Sequence, residues 1–119
     1  MKAVILVGIG GAVGSMLRYI LQRHLNADFP LGTLIVNIFG CLLIGILWAL
    51  AAKHKLDEAL RLCLMAGFCG GFTTFSSFTL ESLQLLQNNR YLFFAVYTIS
   101  NVVIGLLATF AGYKIFSNI

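Results

Sequence analysis

Charge is scarce in this chain. Only four of 119 residues are Asp or Glu and eight are Lys or Arg, so charged residues make up 10% against 60% hydrophobic. A soluble domain needs far more polar surface to cover its exterior, which excludes water as the main solvent. The three cysteines, Cys41, Cys63 and Cys69, lie inside apolar stretches with no partner at metal-ligand spacing. They read as small buried hydrophobes. Glycines crowd positions 8, 10, 11 and 14, but the spacing is not G-x-G-x-x-G and no strand pattern precedes it, which excludes a dinucleotide loop. No nucleotide loop and no nucleophile paired with a base is visible, so the pattern describes neither an enzyme nor an ATP-driven pump.

What fills the chain is apolar sequence in four long blocks, residues 3–17, 31–52, 60–86 and 91–116. Each reaches or approaches the roughly 20 residues needed to cross ~30 Å of hydrocarbon. The connections at 26–30, 53–58 and 88–90 are short and carry most of the charge, so residues 1–119 read as one four-helix transmembrane domain. The Met-Lys start resembles a secretion signal. Its apolar region is long for one, however, and cleavage would discard Arg18, so it is taken as the first span. Basic residues flank the spans as interfacial anchors, and no nucleic-acid partner is indicated. Lys2, Lys53, Lys55, Arg61 and Lys114 lie on one side and Arg18, Arg23 and Arg90 on the other. Five against three is a weak bias, which suggests insertion in both orientations.

Polar residues inside the blocks mark the candidate site. In the first span, Gly10 and Gly14 let helix backbones approach closely. Arg18 at its end must snorkel, pair or face a wet cavity. Asn37 sits about a turn and a half into the second span, where its amide either bonds a neighbouring helix or donates to a passing anion. In the third, Gly70-Gly71 precede Thr73, Thr74, Phe75, Ser76, Ser77 and Phe78. Glycine and local hydroxyls weaken a helix there. The block would measure ~40 Å as a continuous helix, so a mid-membrane break is compatible with spanning. Carbonyls freed by it need partners, which are either a monovalent cation or the nearby hydroxyls. Phe75 and Phe78, three apart, are either packing residues or electropositive ring edges facing an anion. Glu81 is the only carboxylate in or near a span, at the interface or at a vestibule mouth. The fourth span adds Tyr97, Thr98, Ser100 and Asn101, with a small face at Gly105, Ala108 and Gly112.

Taken together, these residues resemble the Fluc (CrcB) family of fluoride channels along essentially the whole chain. The resemblance is carried by Gly10-Gly11 through Gly14 to Arg18-Tyr19, by Gly32-Thr33-Leu34 through Asn37 to Gly40, and by Gly67 through Gly71, Thr73–Ser76 and Phe78 to Glu81. Ser77 stands where Thr is common in the family, keeping a hydroxyl. The resemblance implies an all-α membrane protein of four transmembrane helices, the third broken mid-membrane, assembled as an antiparallel dual-topology homodimer. It implies two fluoride pathways and a structural sodium ion held by the backbone carbonyls of Gly70 and Thr73 from both subunits. Asn37, Phe75 and Phe78 would line each path, with Thr74, Ser77, Tyr97 and Ser100 as polar or aromatic neighbours and with Arg18 and Glu81 near a vestibule. The implied activity is passive fluoride export that lowers cytoplasmic fluoride, in a bacterial plasma or inner membrane. Two rivals remain. A proton-coupled dual-topology exporter would carry a carboxylate deep in span one, which has none. A non-transporting assembly subunit would use its polar residues only to join helices to a partner.

Overall fold

The computed structural model describes residues 1–119 and is all helical, with a lone bridge between Asn26 and Pro30 in the first connection. Helix α1 covers Lys2–Leu25 and α2 covers Leu31–Ala52. The third run, Glu58–Gln87, comprises α3 (residues 58–72) and α4 (Phe75–Gln87), and α5 covers Tyr91–Ser117. These four runs of 24, 22, 30 and 27 residues are each long and apolar enough to cross a membrane. The chain is therefore a multi-pass membrane protein.

Local chemistry explains the boundaries. Asp57 caps α3, accepting from the Leu60 amide at 2.7 Å, and Glu58 in the first turn complements the helix dipole. Tight reversals after α2 and α4 use His54 and Asn89 in the left-handed region, with φ of 58° and 59°. Two stretches, Leu62–Cys69 in α3 and Ser100–Ile104 in α5, are wound as π-helix. Such wide turns are uncommon and displace side chains from the α-helical register. Between α3 and α4 the backbone leaves helical geometry altogether. Thr73 has φ/ψ of −85°/159° and Thr74 −151°/121°, both extended.

Two helix pairs make the scaffold, α1 against α3 and α2 against the C-terminal part of α5. Both seams are backbone-to-backbone. A Cβ on Gly14 would lie 2.8 Å from the Phe72 amide nitrogen and closer still to the Phe68 carbonyl, and one on Gly67 would lie 2.7 Å from the Val7 carbonyl. Across the other seam, Gly45 abuts the Thr109 carbonyl and Gly112 the Leu42 carbonyl, where no side chain fits. Lipid offers no hydrophobic drive to bring helices together, so close van der Waals contact at small residues does that work. The small face expected on the fourth span is used at Gly112, whereas a Cβ on Gly105 would meet only the Cys41 sulfur, at 3.4 Å. The bundle is 48 × 33 × 19 Å, and its thin direction is about two helix diameters.

Candidate functional site

The Thr73–Thr74 linker is built from side chains of other helices. In a continuous helix the Thr74 amide would bond the Gly70 carbonyl. Here it donates instead to Asn37 Oδ1 at 2.8 Å, and Asn37 Nδ2 returns a bond to the Thr74 carbonyl at 3.2 Å. The second hydrogen of that amide goes to Asn101 Oδ1 at 2.9 Å, and Asn101 donates to the Tyr97 carbonyl at 2.9 Å. Asn37 thus has both N–H bonds committed, and an anion would reach one only by replacing Thr74 or Asn101. Thr74 caps α4, its hydroxyl accepting from the Ser77 amide at 3.1 Å. Thr73 Oγ1 donates to the Cys69 carbonyl at 2.8 Å, whereas the Thr73 carbonyl receives no hydrogen bond from the chain. On the opposite side, Arg18 Nε donates to the Gly71 carbonyl at 2.9 Å and Arg18 Nη1 to Gln22 Oε1 at 3.3 Å.

Beside the linker runs an open groove of about 400 Å³. Asn37, Gly70, Thr73, Thr74, Phe75 and Phe78 line it together with Asn101, Cys41 and Cys69. Gly70 is exposed there, and a Cβ on it would meet nothing within 4 Å in this chain. Phe75 is 78% exposed, so much of one wall of the groove is ring surface facing outward. From it the rings continue inward. Phe75 and Phe78 lie 5.8 Å apart between centroids, Phe78 and Tyr97 5.5 Å, Tyr97 and Phe29 5.6 Å, and Phe29 and Phe93 5.4 Å. The Arg90 guanidinium closes the series 4.3 Å above the Phe93 ring.

This aromatic row leads to a second, polar cavity of about 410 Å³ at the α1–α2 connection, lined by Asn26, Asp28, Glu81, Gln84, Asn88 and Arg90 among others. Tyr97, fully buried, donates its hydroxyl to Glu81 Oε1 at 2.8 Å, and Asn26 donates to Glu81 Oε2 at 3.0 Å. Asn26 also reaches the buried Thr33, accepting from its amide at 3.1 Å and donating to its hydroxyl at 3.3 Å. Gln22 donates to the same hydroxyl at 3.0 Å. The carboxylate therefore belongs to a polar cavity and keeps two donors, as a charge near hydrocarbon requires.

The residues marked in the sequence do not all meet. Six line the groove, Tyr97 lies behind Phe78, and Glu81 faces the second cavity. Ser77 contributes its amide to the α4 cap, and Ser100 lines neither cavity. Arg18 lines neither cavity and sits against the linker. In the sequence Asn101 stands out only as part of a polar strip, and nothing there marks Asn26, Gln22, Phe29 or Phe93. A second amide at mid-span on the fourth helix was the available signal for Asn101, because two amides in lipid satisfy each other. The others lie in a polar helix end or among common apolar residues, where nothing local distinguishes them.

An all-helical, four-span membrane protein with an extended linker, an open aromatic groove and a separate polar cavity beyond a row of packed rings is the class defined by this geometry. The family profile described as CrcB-like protein, Camphor Resistance (CrcB), matches residues 5–113, and the chain belongs to that family. A protein of Phocaeicola vulgatus named "Fluoride-specific ion channel FluC" is 46% identical over 116 residues, covering 94% of this chain and 96% of the relative. Proteins of the same name from Azobacteroides pseudotrichonymphae and Nitratidesulfovibrio vulgaris are 44% and 42% identical, covering 95% and 94% of this chain and 94% of each relative.

Proposed function

We propose that this chain is a fluoride-selective ion channel, a transporter rather than an enzyme, working as an antiparallel homodimer of dual topology that exports fluoride passively. The observation that carries the reading is the open groove, where ring surface of Phe75 and Phe78 and the polar linker lie side by side in a member of a family whose relatives bear the name fluoride channel. Ring edges are electropositive, so together with N–H and O–H donors they hold a dehydrated anion without the full positive charge that would trap it. Asn37 and Thr74 would meet the anion by exchanging their present hydrogen bonds for it, with Asn101 beside them, and the row Phe78–Tyr97 to Glu81 continues the path toward the polar cavity.

The assembly reading rests on what one copy leaves open. Backbone polar groups at membrane depth must be buried in protein or line a cavity. Gly70 and Thr73 line the open groove and the Thr73 carbonyl receives no hydrogen bond from the chain, which supports a reading in which a second, inverted copy would cover them and a sodium ion would take carbonyls from both subunits. Flux then needs only the electrochemical gradient of the anion. Acid outside a bacterial cell drives neutral HF inward, dissociation traps fluoride there, and the channel in the plasma or inner membrane lowers its concentration.

Purified protein in fluoride-loaded liposomes, with a potassium ionophore balancing charge, tests the reading. Rapid efflux without a proton gradient is the expected result. Efflux that requires a proton gradient would instead make the protein a coupled exporter, and absence of flux would make it an assembly subunit. Exchange of sodium for a large organic cation is expected to weaken flux or assembly; indifference after long incubation removes the ion from the account.

A further inference from the structure

We propose that Arg18 is a positioning residue, which holds the linker in its extended form by capping the Gly71 carbonyl and ties that linker through Gln22, Thr33 and Asn26 to Glu81. A Gly71 carbonyl in an unbroken helix would accept from the Phe75 amide, and two extended residues between them destroy that i→i+4 geometry. The carbonyl is then one of the orphans of a helix C-terminus, in a place where water is scarce. No local side chain replaces the lost donor. Gly71 itself is pressed so closely on Gly11 that a Cβ would meet the Gly11 carbonyl, so the replacement has to come from α1. Arg18 supplies it at 2.9 Å, with Ser15 Oγ at 3.5 Å as a weak second donor.

A charged donor strengthens the bond, and the planar fork of guanidinium lets Nε and Nη1 serve two fixed acceptors at once. Both acceptors, the Gly71 carbonyl and Gln22 Oε1, are neutral. Arg18 is therefore committed by hydrogen-bond geometry and is not neutralised by a carboxylate. From Gln22 the bonds run to the Thr33 hydroxyl at 3.0 Å, from Asn26 to that same hydroxyl at 3.3 Å, and from Asn26 to Glu81 at 3.0 Å. Movement of the linker thus pulls on the carboxylate in the polar cavity through an unbroken series of contacts. The alternative role for Arg18 is that of a diffuse positive charge at an entrance, which requires no contact with Gly71.

The pair Gly-Phe occurs only at Gly67-Phe68 and Gly71-Phe72. Protein labelled with carbonyl-¹³C glycine and ¹⁵N phenylalanine therefore gives two selected carbonyl resonances, one reporting the Arg18 contact and the other serving as an internal control. Arg18→Met is expected to move the Gly71 carbonyl upfield and leave Gly67 in place. Arg18→Lys, which keeps charge and loses the fork, is expected to move it in the same direction, and it carries the test if the Met variant does not fold. A Gly71 resonance unmoved in the folded variant overturns the proposal. The flux arm rests on the channel reading: both variants are expected to slow fluoride flux about tenfold, the loss of one hydrogen bond to a charged group. Full flux in Arg18→Lys assigns Arg18 to diffuse charge and overturns the positioning role. Wild-type protein without flux would sink the channel reading alone and leave the resonance test standing.

Discussion

The glycine seams and the Thr73–Thr74 linker hold helices together in opposite ways. Along α1–α3 and α2–α5 the backbones touch at glycines, and the nearest atoms to Gly14, Gly67, Gly45 and Gly112 belong to the facing backbone. At the linker the helical bonds are given up, and Asn37, Arg18 and Thr74 replace them. The first arrangement has no alternative state within reach, since a packed seam tolerates neither added volume nor a shift. The second consists of exchangeable donors and acceptors. A permeating ion needs the second kind of surface and a scaffold of the first kind to keep it in place.

The largest expected effect tests the seams. Gly14→Val drives a side chain into the Phe72 amide and the Phe68 carbonyl, neither of which is able to yield. Overpacking of this kind costs about 3 kcal/mol or more. The variant is expected to lose its monodisperse peak in detergent, whereas Gly8→Val, with nothing within 4 Å of the added Cβ, behaves as the parent does. Equal behaviour of the two would remove the distinction between seam and surface.

Next comes the linker. Asn37→Leu keeps bulk and removes the three hydrogen bonds to Thr74 and Asn101. A stability loss of about 2 kcal/mol is expected, because the Thr74 groups are left unpaired, together with loss of fluoride flux. Thermal unfolding in detergent that matches the wild type would show that the amide does not hold the linker.

Smaller still is the consequence of changing the groove wall. Phe75→Ile and Phe78→Ile remove ring edges and retain apolar bulk, so a severalfold fall in flux with intact assembly is expected, each aromatic contact being worth roughly 1 kcal/mol. Unchanged flux in both returns the rings to packing. At the bottom of the scale, Gly70→Ala adds a Cβ that meets no atom of its own chain at a helical position, and it is expected to leave the subunit folded with stability raised by no more than about 1 kcal/mol. A raised sodium requirement in that variant would sharpen the ion reading, and a grossly unstable subunit would contradict the open face.

Apolar block length alone located the four spans, and α2 begins and ends where its block does, at Leu31 and Ala52. Helix α1 runs on to Leu25, past the apolar limit at residue 17, because Arg18 and Gln22 find partners in other helices that hydropathy does not see. The interruption signal spans the glycines and the hydroxyl run after them, with the break expected over Gly70–Thr73; both glycines remain helical and the extended residues are Thr73 and Thr74. Gly71 is small to admit α1, and it is the threonines, with Asn37 as partner, that leave the helix. Of the two roles open to Asn37, the structure contains the bond to neighbouring helices. The partnerships Arg18–Gly71, Asn26–Glu81 and Asn37–Asn101 join residues 53, 55 and 64 positions apart, so no local pattern announces them.

The most direct measurement is the reversal potential of a planar bilayer containing the purified protein, with a fluoride gradient across it and chloride balanced, recorded at equal pH and again with a pH difference. A passive fluoride channel is expected to reverse at the fluoride equilibrium potential in both conditions. A reversal that shifts with pH, follows chloride, or cannot be recorded because no current flows would contradict the account.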